Sequence, residues 1–157
     1  MPIIQFPIRA TNVVTGLAII VLPVIALAVK LITPGWMLFI LFYAGILLGA
    51  LYVLLVVMAS SGFFGRRAAF SFVPAKRGRF AGLTHGVAVV LFMFFLIDGG
   101  DSDDWSSPFI TVFGFDRDAF SDLTSALCGV SLVIAVGAYL WFFVEWVIAV
   151  RVKRRLV

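Results

Sequence analysis

The sequence predicts an all-α integral membrane protein: a four-helix bundle of two antiparallel helical hairpins with both termini on the inner side. Three observations support this. Hydrophobic residues make up 63% of the 157 positions and charged residues 13%, against roughly 45–50% and 25% in an ordinary soluble domain. Four stretches have the length and apolarity of membrane spans, for which a helix needs roughly 20 residues. The charges sort by sign into different connections. A soluble globule of this size buries about two-thirds of its surface and needs a polar skin for the rest. Seventeen Phe and four Trp leave no such skin. The composition therefore excludes a soluble enzyme, a disordered chain and a disulfide scaffold. Cys128 is the single cysteine, so no intramolecular disulfide forms and no redox compartment is indicated.

The first span covers about 12–32. Arg9 precedes it and no small-x-small cleavage site closes it, so it reads as a retained span and not as a cleaved signal. Pro23 lies at its centre, where loss of one helical hydrogen bond is expected to kink the helix. Positions 33–35, Thr-Pro-Gly, make the tight connection to the second span at 36–58. The third span, 81–98, is the shortest and suffices for a thin crossing. The fourth, 123–150, is longer than a bilayer needs and is expected to tilt or project. No internal repeat or linker divides the chain, which reads as one transmembrane domain.

Sidedness follows from charge. The connection 59–80 carries Arg66, Arg67, Lys76, Arg77 and Arg79, and the C-terminal tail carries Arg151, Lys153, Arg154 and Arg155. The connection 98–122 holds Asp98, Asp101, Asp103, Asp104, Asp116, Asp118 and Asp122, with Arg117 as its one cation. Cytoplasmic loops are enriched in Lys and Arg, so the basic loop, the tail and the N-terminus are expected inside and the acidic loop outside. Lys30 is the exception, near the outer end of the first span, and its stem is expected to snorkel to the outer headgroups.

Few groups are available for chemistry. Glu145 is the sole acid within a span and lies near the inner interface, either as a proton or cation site or as an anchor paired with a cytoplasmic Arg. His85, the only histidine, stands near the inner start of the third span. One histidine cannot hold a haem by two axial imidazoles or build a zinc site, so it is expected to cap or bridge helices. The acidic loop lacks the spacing of a twelve-residue calcium loop. Its apolar stretch 105–115 reads as an interfacial segment on the outer leaflet or against a neighbour, and Asp122 reads as the cap of the fourth span. Nucleotide-binding, zinc-protease and nucleophile-elbow signatures are absent. No catalytic, metal or cofactor residue is therefore expected, and the chain is not expected to be an enzyme.

The basic loop interleaves its cations with Phe63, Phe64, Phe70, Phe72 and Phe80. That mixture is shared by single-stranded nucleic-acid sites, but beside two spans it reads as attachment to anionic headgroups, at about 1 kcal/mol per cation, or as a dock for a cytoplasmic protein. No nucleic-acid partner is expected. Gly45 and Gly49 in the second span, and Gly129 and Gly137 in the fourth, have the small-residue spacing that lets helix backbones approach, expected here mainly within the bundle. Gly82 and Gly86 repeat it in the third.

These features predict an accessory or scaffold subunit of a larger membrane complex, or a homo-oligomer, on a bilayer with an anionic inner leaflet. The alternative is a small homo-oligomeric transporter or channel with Glu145 as the coupling or lining residue. High Phe, Val, Ala, Arg and Asp with little Lys points to a GC-rich bacterial genome, hence a bacterial plasma membrane.

Overall fold

The computed structural model describes residues 10–65, 67–99 and 105–156, apart from the side chain of Leu38. Arg9, Arg66, Asp101, Asp103 and Asp104 lie outside the described residues. The fold is almost entirely helical with no strand among those residues. Four helices are long and apolar enough to cross a membrane, consistent with a multi-pass membrane protein. They are α1 (Ala10–Lys30), α3 (Gly45–Phe63), α4 (Lys76–Phe95) and α6 (Arg117–Leu156); the short α2 (Trp36–Tyr43) and α5 (Pro108–Phe113) complete the set.

The boundaries depart from expectation in three places. The second span divides at Ala44, whose ψ of −3° opens the turn before Gly45. Hydrogen bonds continue across the division, from Ala44 to Ile40 and from Leu48 to Ala44, so the two helices form a bent rod with a glycine at the bend. α1 is one helix with Pro23 inside it. α4 starts at Lys76, soon after Pro74, so three cations assigned to a loop lie in its first turn. α6 starts at Arg117, and Asp116 rather than Asp122 is its cap: the Asp116 carboxylate accepts from Ala119 N at 2.9 Å. At 40 residues α6 is about 60 Å long, double a hydrocarbon core.

Packing follows small residues. α4 lies between α1 and α6, α1 also meets α3, and an α3–α6 contact closes the ring. Gly82 and Gly86 of α4 receive Ile19 and Leu22 of α1, while Gly16 of α1 receives Phe63 and Phe64. Polar side chains tie the ring by donating to carbonyls of neighbouring helices. Tyr52 Oη donates to Ile20 O at 3.1 Å and Tyr139 Oη to Leu51 O at 3.0 Å. His85 Nδ1 lies 2.9 Å from Ala135 O; a carbonyl only accepts, so Nδ1 carries the proton. In lipid, such bonds and close packing replace the hydrophobic effect as the force between helices.

Each end of the bundle has its own plug. At one end Phe70, on a one-turn 3-10 helix at Ala69–Ser71, enters the core. Its ring stacks 4.7 Å from Phe63 and 6.4 Å from Phe142. Gly62 and Gly78 leave the room: a Cβ on either would strike the ring at 2.8 and 2.5 Å. At the other end α5 turns back over α4. Ser107 caps it by accepting from Ile110 N at 3.3 Å, Pro108 fills the first turn and Gly114 closes it in the left-handed region. Phe109 then meets Phe94 and Phe95 of α4. The stretch 105–115 thus packs against its own chain, while Val112 and Phe113 keep an exposed apolar side.

Candidate functional site

Two arrangements stand out, one at each end of the ring. At the α5 end, Lys30 and Asp98 form an ion pair with Nζ 3.1 Å from Oδ2 and side chains 0% and 1% exposed. Lys30 Nζ also donates to Leu96 O at 3.2 Å. The second carboxylate oxygen of Asp98 accepts from Met37 N, at the start of α2, at 2.9 Å. The Asp98 backbone exchanges both its hydrogen bonds with Ser106, at 2.9 and 2.8 Å, and Gly99 O accepts from Trp36 N at 3.0 Å. One residue therefore fastens the end of α1, the start of α2 and the approach to α5. Gly35 makes this approach possible: a Cβ there would lie 2.5 Å from Asp98 Oδ1 and 2.7 Å from Gly99 O.

Lys30 is thus not a snorkelling side chain. It is directed into the protein because an acid and a carbonyl there replace its water, the condition on which a buried cation depends. The sequence did hold a signal: a lone cation closes the first span and an acid closes the third, at what parallel passage makes the same end. Taken singly, each charge points to its own nearest surface, and the pair is hidden.

At the Phe70 end a groove of about 550 Å³ opens between three helices. It is lined by Thr11 and Thr15 of α1, by Lys76, Arg77, Arg79, Phe80 and Leu83 of α4, and by Trp141 of α6. The first turn of α4 has no acidic residue and no side-chain cap. Three cations thus stand where the helix dipole is positive and amide donors are unmatched, the reverse of the favourable arrangement. The apolar wall is fixed by two contacts. Phe80 meets Trp141 at 5.8 Å between ring centroids, and Trp141 Nε1 donates to Glu145 Oε1 at 3.1 Å.

The remaining predicted residues fall as follows. Glu145 is half-buried and accepts a hydrogen bond from Trp141 on its own helix; among the described residues no basic group pairs with it. His85 lies midway along α4, not near its start, because the helix begins five residues earlier than expected; it bridges to α6 and meets the Tyr139 ring edge-on at 5.1 Å. Cys128 is half-buried, with Sγ 3.9 Å from Phe92 O. Gly45, Gly49, Gly129 and Gly137 have no atom within 4 Å of a built Cβ. They make no close seam within the chain, because the helix faces that carry them turn outward. Phe63, Phe70 and Phe72 of the basic segment are buried and so are not lipid anchors, whereas Phe80 is exposed. Arg67, Arg151, Lys153, Arg154 and Arg155 lie on the surface. Among the described residues no three His, Cys, Asp or Glu side chains assemble as a metal site. In comparisons with family models, curated proteins and solved structures, nothing matches this chain.

Proposed function

We propose that the chain is an accessory or scaffold subunit of a larger membrane assembly, and that it acts by helix packing and by docking to lipid or partner. The observation that supports this is the outward face of the bent α2–α3 rod. Ile46 is 91% exposed, Phe42 and Tyr43 nearly as much, and Gly45 and Gly49 lie open between them. A glycine pair on an unpacked span leaves a shallow seat for another helix. Gly129 and Gly137 on α6 offer a second. The ring's own polar groups support the same reading, since Tyr52, Tyr139 and His85 each spend their donor on a neighbouring backbone carbonyl. In this proposal the chain forms two helical hairpins in a bacterial plasma membrane with both termini cytoplasmic. Arg66, Arg67, Lys76, Arg77 and Arg79, with Arg151, Lys153, Arg154 and Arg155, face the anionic leaflet or a partner. The proposal includes no nucleic-acid partner, a reading supported by the burial of three of the interleaved aromatics, which leaves them unable to stack on bases.

The test is the mass of the assembly extracted with its native lipids. A complex with a stoichiometric larger protein is expected, and Gly45→Leu with Gly49→Leu is expected to release the chain from it while leaving membrane insertion intact. An unchanged complex in that variant removes the glycines from the interface. A pure homo-oligomer instead favours the transporter or channel, for which Glu145→Gln would abolish a measured flux.

A further inference from the structure

We propose that the groove between α1, α4 and α6 is a binding site for a single anionic phospholipid. Its phosphate is held by Lys76, Arg77 and Arg79, and one acyl chain lies along Phe80, Leu83 and Trp141. The proposal deepens the lipid-docking part of the role above and rests on the basic end facing an anionic leaflet.

Four features converge. The cavity, at about 550 Å³, has room for a headgroup and the start of a chain. Its lining is divided along α4, with Lys76, Arg77 and Arg79 in the first turn and Phe80 and Leu83 in the next, joined by Trp141 of α6, which is the division within a phospholipid and not within a soluble phosphate. The cations oppose the dipole of the helix that carries them, and no acid in that turn offsets them; a bound anion reverses the sign of that conflict. Trp141 marks depth. An indole placed beside a second exposed ring, with its N–H bonded to a carboxylate, is amphipathic in the way of the interfacial aromatic belt. Arg151 lies ten residues, about 15 Å, further along α6. The tail cations are therefore set apart from the groove along α6 and can be varied separately from it. Basic pockets between spans are a recurring form of phospholipid recognition. Glu145 lies one turn beyond Trp141 on α6, and its bond to Trp141 commits one of its oxygens to the indole.

Full-length protein in a neutral detergent is titrated with phosphatidylglycerol or phosphatidylcholine of identical chains, and bound lipid is counted on the single-chain mass. One phosphatidylglycerol per chain is expected at a concentration at least tenfold lower than phosphatidylcholine. Lys76→Gln, Arg77→Gln and Arg79→Gln together should erase that preference; neutralising Arg151, Lys153, Arg154 and Arg155 should not. The preference surviving the first set, or vanishing only with the second, overturns the site in favour of diffuse attraction. Competition by inorganic phosphate at the lipid's own concentration overturns it in favour of a soluble anion. A second measurement needs no charge variant. Phosphatidylglycerol with brominated chains should quench part of the tryptophan emission, saturating at one lipid per chain, and Trp141→Phe should remove that part. Equal quenching in both proteins refutes the acyl-chain contact. Because the lipid is read on the lone chain, failure here leaves the assembly result untouched, and the reverse.

Discussion

At the scale of single residues, Asp98 is tied by both its side chain and its backbone, to Lys30, Met37 and Ser106. Removing one partner of a buried ion pair typically costs about 3–5 kcal/mol, because the other charge is left without water. Asp98→Ala or Lys30→Met alone should therefore lower stability by about that much, measured as denaturant unfolding in lipid micelles. Lys30→Met combined with Asp98→Leu should recover most of the loss, less about 1 kcal/mol for the amide of Met37. Equal losses in the double and single variants would show that the pair is worth more than its desolvation. Gly35→Ala is expected to cost about 1–3 kcal/mol by overpacking against the same carboxylate. Both charges were plain in the sequence, but their meeting was not. It depends on α1 lying beside α4 with matching ends, and nothing in a list of spans says which helices are neighbours.

At the scale of elements, glycines of identical spacing have opposite surroundings. Gly78 faces the ring of Phe70, so Gly78→Ala should destabilise by about 1–3 kcal/mol. Gly129 and Gly137 face open space within α6, so alanine at either should stabilise the isolated chain by up to about 1 kcal/mol through helix propensity. Thermal unfolding midpoints of the purified variants compare the two groups directly. A fall at Gly137 comparable to that at Gly78 would place an unrecognised contact on α6. Small-residue spacing was visible in the sequence, while the direction of each helix face was not. That direction is set by which face the larger residues Ile19, Leu22 and Phe70 reach. The aromatics of 59–80 misled for a related reason: their neighbours Gly62 and Gly78 make a socket, and sockets arise only when distant helices close. Capping chemistry was more legible, since Ser107, Pro108 and Gly114 are ordinary start and stop residues. Asp116 and Asp122 are equally good caps by type, and the earlier one wins because Phe120 stacks on Phe115 at 4.5 Å and extends the helix backwards.

At the scale of the whole molecule, the number and order of the spans were legible because bilayer thickness fixes helix length and leaves little freedom. The expected sidedness is testable on the intact protein. With Cys128→Ala as background, Asp118→Cys should react with an impermeant maleimide from outside whole cells, and Arg155→Cys only after permeabilisation. The opposite pattern would invert the molecule and move the basic groove to the outer leaflet. The ion pair also has a consequence in time. Leu96, which helps hold Lys30, follows it by 66 residues. At a synthesis rate of about 5–20 residues per second, some 3–13 s pass before the chain has made that partner. During that interval α1 and the α2–α3 rod are already available to the membrane while the ammonium at the end of α1 has no acid to meet. The first spans are thus expected to settle finally only when the third arrives.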